Sequence, residues 1–165
     1  MIRRLLALSI ALAFAAPLPA AAHDIVAFSG YRTGTIVVAT GERQLFYVIA
    51  PGRAERYPVG VGRAGMAWHG RAHVARKLRR PSWGPPDDIA RENPNIPDYI
   101  PGGSPHNPMG EAVLGLDRGN YAIHGTNNPR SIGGFVSHGC IRMYNEDIMA
   151  LYRRVPIGTE VVVLP

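Results

Sequence analysis

A single cysteine lies close to two histidines and an arginine in the C-terminal third of this 165-residue chain. Cys140 directly follows Ser137-His138-Gly139, and His124 precedes it by 16 residues. An ordinary thiol, with a pKa of about 8.5, is mostly protonated at neutral pH, so a nucleophilic cysteine needs a base or a positive field beside it. The spacing leaves both His124 and His138 as candidate bases. These residue types predict thiol-based acyl transfer.

The residues beside Cys140 could also stabilise the charges of such a reaction. Gly139 permits a tight turn that would aim backbone N–H groups at an oxyanion. Arg142 would place a fixed positive charge near a substrate carboxylate. The alternative for Arg142 is a surface side chain paired with Glu146 or Asp147, which would contribute little.

Two other interpretations of the cysteine are possible. A lone cysteine can be a small buried apolar residue without chemistry. Cys140 could also bind zinc together with His124 and His138, but the sequence offers no clear fourth ligand near them and no Cys-x-x-Cys pair. We therefore expect no metal and no cofactor.

The elements that must position these residues are mostly strands. Apolar runs enriched in β-branched residues predict strands at 34–40, 44–50, 57–61, 112–116, 121–124 and 160–164. The first two should form a hairpin, and Pro58 restricts the third to an edge strand or a strand start. One helix is predicted over 146–154, with Asn145 as its cap and an apolar stripe formed by Ile148, Leu151, Tyr152 and Val155.

Two segments between the strands have unusual compositions. Residues 70–80 contain five basic side chains, for which we expect a solvated strand face rather than contact with an anionic polymer. Residues 81–108 contain eight prolines, which exclude a long helix or a central strand. Trp83, Ile96 and Tyr99 would anchor this segment, so we expect an ordered lid or binding loop.

The first 22 residues predict export. Arg3 and Arg4 precede an apolar run at 5–16 and a small-residue region at 17–22, which together are typical of a signal peptide cleaved after Ala22. A retained anchor is the alternative, although the run is shorter than the roughly 20 residues that span a bilayer. Loss of the two arginines takes the formal charge from +6 to +4. The mature chain would stay basic, and an exported protein is a poor candidate for nucleic-acid binding.

The segment 121–145 resembles a known family. His124-Gly125-Thr126-Asn127, followed by Ser137-His138-Gly139-Cys140-Ile141-Arg142-Met143, is similar to the active-site signature of the L,D-transpeptidase (YkuD) family. The likeness extends to the hairpin at 34–50 and to 107–110, and it covers roughly 33–163. It implies a mostly β fold, a YkuD-like β-sandwich with a short helix after the catalytic cysteine.

The resemblance also implies roles for single residues. Cys140 would attack a peptidoglycan stem peptide after its third residue, form a thioester and release D-alanine. His124 would be the base, oriented by the Gly125 carbonyl. Arg142 would engage the substrate, and the oxyanion side would be lined by Ser137, His138 and Gly139.

The acceptor and the domain limits follow as further expectations. An amine of another stem peptide would give a cross-link, a lysine of an envelope protein would give a tethered protein, and water would make the enzyme a carboxypeptidase. A non-catalytic peptidoglycan-binding scaffold is the remaining alternative.

We expect a signal peptide at 1–22, a short N-terminal segment at 23–32 and a catalytic domain at 33–165. The protein is expected to be active as a monomer in the periplasm or cell envelope.

Overall fold

The computed structural model describes residues 23–165, and strands dominate this part of the chain. The predicted signal peptide at 1–22 lies outside the described residues. Within them, no helix has the length and apolar character needed to cross a membrane. The elements, in chain order, are β1 (Asp24–Ala27), β2 (Ile36–Ala39), β3 (Gln44–Ala50), β4 (Arg53–Pro58), β5 (Val61–Gly62), β6 (Gly70–Arg79), α1 (Asp87–Glu92), β7 (Ala112–Leu116), β8 (Ala122–His124), a 3₁₀ turn (Pro129–Ser131), β9 (Phe135–Ser137), β10 (Ile141–Arg142), α2 (Asn145–Arg154) and β11 (Glu160–Leu164).

Nine of these strands form one continuous sheet in the order β1-β4-β3-β2-β11-β6-β7-β8-β10, and β5 pairs with β9. Both halves of the sheet contribute to one buried cluster, which contains Val38 and Leu45 from one half and Leu114 and Ile123 from the other. The predicted mostly β fold is therefore confirmed. The segment 23–32 supplies β1, which pairs antiparallel with β4.

The predicted hairpin is present, since β2 pairs antiparallel with β3 from Ile36 opposite Tyr47 to Ala39 opposite Gln44. The predicted strands at 112–116 and 160–164 have the observed bounds of β7 and β11. The single strand predicted at 57–61 is wrong, because β4 ends at Pro58 and β5 begins at Val61. Proline has no N–H to donate, and β1 reaches only as far as Arg56 on that side of β4.

The helix after the cysteine is present as α2, and Ile148, Leu151 and Val155 of its predicted stripe are fully buried. The predicted cap is wrong: Tyr144 occupies the N-cap position, and Asn145 is the first helical residue. The expectation of one helix is incomplete as well. A second helix, α1, begins directly after Pro86, and the two acidic residues in the first turn of α1 favour it.

The proline-rich segment 81–108 is folded, and Asn107 holds its ends together. The buried Asn107 side chain donates from Nδ2 to the carbonyls of Pro81 at 2.9 Å and Pro101 at 3.0 Å. Its Oδ1 accepts the Met109 amide at 2.9 Å. Trp83 and Ile100 exchange two backbone hydrogen bonds across the segment. These contacts fold the segment against itself.

Candidate active site

The candidate site lies on the face of β8 and β10 that points away from the core. These strands are parallel, with Ile123 opposite Ile141 and His124 opposite Arg142. The two isoleucines belong to the buried core. Because side chains alternate along a strand, His124 and Arg142 point to the other face, and Cys140 shares the side of Arg142. All three line one cavity of about 1090 Å³.

His124 is buried and held in one orientation. Its Nδ1 lies 2.6 Å from the carbonyl oxygen of Gly125, which can only accept a hydrogen bond. Nδ1 therefore carries the ring hydrogen, and Nε2 keeps its lone pair. Burial, assisted by the Arg142 charge, lowers the pKa of His124 to about 4, although the Gly125 and Pro108 carbonyls oppose this shift. The ring is neutral at pH 7 and able to accept a proton.

Cys140 is a free cysteine on the cavity surface. Burial raises the pKa of its thiol, while the Ala122 amide and the Arg142 charge act in the opposite direction. Its Sγ makes a weak contact of 3.8 Å with the Asn120 carbonyl. The resting site therefore contains a neutral thiol and a neutral imidazole. Such a thiol becomes a good nucleophile only when a base removes its proton as it reacts.

Arg142 is half-buried and lines the cavity without an acidic partner among residues 23–165. The alternative pairing with Glu146 or Asp147 is wrong. Asp147 is buried beside His23, with its Oδ1 3.4 Å from the histidine Nδ1, because the first turn of α2 turns this carboxylate away from the cavity. An uncompensated guanidinium in a cavity is suited to a substrate carboxylate.

His138 also lines the cavity, but its ring is engaged by other charged residues. Its Nε2 lies 2.9 Å from Glu92 Oε2 and 2.9 Å from Arg63 Nη2. Arg63 also pairs with Glu92, so the three side chains form one cluster, here called the Arg63–Glu92–His138 cluster. This cluster joins helix α1 to the turn before Cys140. It engages Nε2 of His138, so this ring is held by two charged side chains, whereas His124 is held by a backbone carbonyl.

The turn from Ser137 to Cys140 is fixed by its own hydrogen bonds. Ser137 Oγ accepts the Gly139 amide at 3.0 Å and donates to the Cys140 carbonyl at 2.6 Å. Gly139 has φ +113°, and a Cβ there would lie 2.4 Å from Tyr121 Cε1. The Gly139 amide is thus paired within the turn, and its glycine is required by both conformation and space.

The indole of Trp68 supports this turn from behind. It donates to the Gly139 carbonyl at 3.0 Å and stacks on the Tyr121 ring with centroids 5.2 Å apart. Ser137 and His138 line the cavity, while Gly139 is buried behind it. Sequence reasoning did not single out Trp68, because nothing in its local pattern distinguishes it from an ordinary core aromatic residue.

The sequence predicted Asn145 as a helix cap, but the structure gives its side chain a different role. Its Oδ1 accepts the amides of Thr126 and Glu111, each at 3.1 Å, and its Nδ2 donates to the Thr126 carbonyl at 3.0 Å. A Cβ on Gly125 would lie 2.2 Å from this Oδ1, so the glycine admits the amide. Asn145 thereby fixes the backbone that follows His124.

The site has no recognisable metal centre within residues 23–165, where no three His, Cys, Asp or Glu side chains are placed as ligands. The cavity wall opposite the sheet consists of the proline-rich segment, including Trp83, Ile89, Ile96 and Tyr99. This arrangement can activate a thiol by proton transfer to a neutral imidazole, beside a cation suited to an anionic group.

Comparison with known proteins gives a consistent family. The model described as the L,D-transpeptidase catalytic domain, YkuD, matches residues 33–163. The Escherichia coli K12 protein named "Probable L,D-transpeptidase ErfK/SrfK" is 38% identical over 141 residues, which cover 81% of this chain and 44% of that relative. "Probable L,D-transpeptidase YbiS" of the same strain is 38% identical over 135 residues, covering 76% and 43%. The chain spans less than half the length of these relatives.

Solved structures agree on the fold. An L,D-transpeptidase from Mycobacterium smegmatis superposes with a TM-score of 0.62 at 16% identity, covering 79% of this chain and 58% of that one. The catalytic domain of an Enterococcus faecium L,D-transpeptidase acylated by ertapenem gives 0.60 at 21% identity, covering 79% and 95%. At these identities the likeness concerns the fold alone, and it confirms the expected fold class.

Proposed function

The chain belongs to the L,D-transpeptidase (YkuD) catalytic-domain family, a family of enzymes, and we propose that it forms a thioester with peptidoglycan stem peptides through Cys140. One observation carries this proposal: Cys140, an orientated neutral His124, and an Arg142 without an acidic partner in the described part of the chain line the same cavity. The chain spans less than half of its curated relatives, so its substrate and its acceptor are part of the proposal.

The first half-reaction is acylation of the sulfur. Nε2 of His124 takes the proton from Cys140 Sγ as the sulfur attacks the carbonyl of the third stem-peptide residue. The bond to the D-alanine nitrogen breaks, and the imidazolium returns the proton to that nitrogen. D-alanine leaves as the free amino acid, and the donor peptide stays bound to Cys140 as a thioester.

The second half-reaction reverses these proton transfers. An acceptor amine attacks the thioester carbonyl, His124 takes a proton from the attacking nitrogen, and the sulfur leaves and is reprotonated. A stem-peptide amine gives a cross-link, and a lysine amine attaches an envelope protein. If water is the acceptor, the same site is a carboxypeptidase.

Arg142 supplies substrate binding in this scheme. Its guanidinium would bind a carboxylate of the donor next to the reacting carbonyl, through charge-assisted hydrogen bonds. Arg142 is half-buried, which makes such a pair stronger than a fully exposed one. The fixed turn from Ser137 to Gly139 would keep the Cys140 sulfur in place beside the bound donor.

Export, the periplasmic or envelope location, the domain limits at 33–165 and the monomeric state belong to the same proposal. Arg3, Arg4 and the apolar run at 5–16 support export. The basic charge of the chain favours anionic surroundings.

Product analysis tests the proposal. The protein lacking residues 1–22 is incubated with a tetrapeptide donor and an amine acceptor, and the products are separated and weighed by mass spectrometry. We expect D-alanine and a joined peptide from the parent protein and neither from Cys140→Ala. Free tripeptide without a joined product would identify a carboxypeptidase. No product and no acylated protein, from a folded sample, would favour the non-catalytic scaffold.

A further inference from the structure

We propose that Arg76 binds a second carboxylate of the donor peptide, at the end of the cavity remote from Cys140. This inference rests on the function proposed above and adds a specificity-determining residue to it. Arg76 lies within the basic run at 70–80, for which the sequence indicated only a solvated strand face. The structure places this arginine on the cavity surface.

An irregularity in β6 turns Arg76 toward the cavity. Val74 lies opposite Leu116 on β7, but Arg76 lies opposite Gly115, so Ala75 is an extra residue in β6. Val74 is buried in the core. Regular alternation would point Arg76 to the core as well, two residues later. The extra residue moves Arg76 to the opposite face, which is the common use of β-bulges beside functional sites.

Arg76 and Cys140 lie at the two ends of one row of residues that are opposite one another on neighbouring strands. Gly115 lies opposite Arg76 and also opposite Ala122 on β8. The parallel register of β8 and β10 continues this row to Cys140, one residue before the Ile123–Ile141 pair. Adjacent strands lie about 4.8 Å apart, so the two backbones are separated by about 14 Å. Arg76, Ala122 and Cys140 all line the cavity.

Gly115 lets the arginine lie flat along this row. Gly115 is buried beneath Arg76, and a Cβ there would lie 2.6 Å from both Cγ and Nε of the arginine and 3.0 Å from Cζ. The side chain therefore crosses the neighbouring strand in the direction of Ala122. This brings the guanidinium to about 10 Å from the Cys140 backbone, the length of two to three extended residues.

The charges of the cavity favour an anion at this position. Within residues 23–165, Arg76 has no ion pair or side-chain hydrogen bond, unlike Arg71 and Arg80 of the same basic run, which pair with Glu160 and Glu111. The described residues that line the cavity include Arg76, Arg142 and three histidines but no Asp or Glu. Asp88 and Glu92 lie near Cys140 and His138. Neither forms an ion pair with Arg76 or Arg142 within residues 23–165, so these two separated guanidinium groups match a donor that carries two separated carboxylates.

The test uses the acylation step alone, with donor peptides that differ in one group. Each donor carboxylate outside the cleaved residue is converted in turn to the uncharged amide, and thioester formation is followed by intact-protein mass spectrometry. For one position we expect the acid to acylate about 10-fold faster than the amide, as a charge-assisted contact predicts. Arg76→Ala should bring this ratio close to one.

Two further variants distinguish position from charge. Gly115→Ala keeps the positive charge but displaces the side chain that lies over it, so the ratio should fall as in Arg76→Ala. Arg79→Ala removes an exposed arginine of β6 that does not line the cavity, and it should keep the full ratio.

Two results would overturn the proposal: a parent protein without any acid preference, or an Arg76→Ala protein that keeps the preference. Both leave the proposed acylation of Cys140 intact. If neither donor acylates the parent protein, the proposed function itself fails, and this inference fails with it.

Discussion

The side chain of Asn145 holds Thr126 by two opposed hydrogen bonds, accepting its amide at 3.1 Å and donating to its carbonyl at 3.0 Å. Thr126 follows His124 by two residues, and Gly125 between them supplies the carbonyl that orients the imidazole. The helix after the cysteine is thereby tied to the loop after the histidine. The side-chain amide of Asn145 therefore links the segment after Cys140 to the segment after His124.

We expect Asn145→Ala to lower both stability and acylation rate. The change leaves the Thr126 and Glu111 groups without their partner, which costs on the order of 2–3 kcal/mol of unfolding free energy. Urea unfolding measures this loss. The acylation rate should fall at least 10-fold because the Gly125 carbonyl is no longer fixed. Asn145→Asp, which keeps the acceptor oxygen, should lose less, and equal losses in both variants would contradict the positioning role.

We predict that His124→Ala loses far more acylation rate than His138→Ala. A general base contributes about 10²- to 10⁴-fold, and the His138 ring is already engaged by Glu92 and Arg63 through Nε2. Removal of His138 disturbs the Arg63–Glu92–His138 cluster and should cost only a few-fold. Rates are measured as thioester formed per unit time under single-turnover conditions. Comparable losses in the two variants would show that the assignment of the base is unsupported.

The lowered pKa of His124 predicts an acid-sensitive fold. Burial holds this pKa at about 4 in the folded protein, against 6.5 for an ordinary histidine. Between these values the unfolded chain binds a proton at His124 and the folded chain does not. The free energy of unfolding therefore falls as the pH is lowered from 6.5 to 4, by about 3 kcal/mol from this one group.

Urea unfolding at a series of pH values measures this effect against His124→Gln, which does not titrate there. All other groups titrate in both proteins, so the difference between the two curves isolates His124. A parallel pair of curves from pH 6.5 to pH 4 would show that the folded-state pKa is not lowered.

Glu92→Gln should loosen α1 without removing the fold. The Arg63 and His138 side chains hold the pKa of Glu92 below its usual range, so the carboxylate is charged and links both. We expect faster hydrogen–deuterium exchange at 87–92 and a several-fold rise in KM for the donor, with a smaller change in kcat. Asp98→Asn is the matched control, because Asp98 is an exposed carboxylate that follows α1 and has no ion pair among the described residues. Unchanged exchange in Glu92→Gln would argue against the cluster as a link.

Local patterns predicted much of the fold. The strands β7 and β11 were recognisable because short apolar runs between turn residues are sufficient to indicate buried strands. The apolar stripe of α2 was equally visible. Pro58 misled the strand prediction at 57–61, since the sequence could not tell whether proline begins or ends a strand.

The contacts that assemble the site were less accessible, because they join residues far apart in the chain. Glu92 is 29 residues from Arg63 and 46 from His138, and nothing local to Glu92 indicates either partner. Asn145 has the composition of a helix cap, but tertiary contacts to Thr126 occupy its side chain instead. The extra residue at Ala75 depends on pairing with β7 and leaves no sign in composition. The choice of His124 over His138 came from the family resemblance, not from spacing.

The most direct test of the central claim is the mass of Cys140 itself during turnover. The parent protein is mixed with a tetrapeptide donor, quenched in acid within one turnover, digested and analysed by mass spectrometry. We predict that the peptide containing Cys140 gains the mass of the donor without its terminal D-alanine, and that a folded His124→Ala protein gains it at least 100-fold more slowly. An unmodified Cys140 in a parent sample that releases D-alanine, or equal labelling in both proteins, would contradict the account.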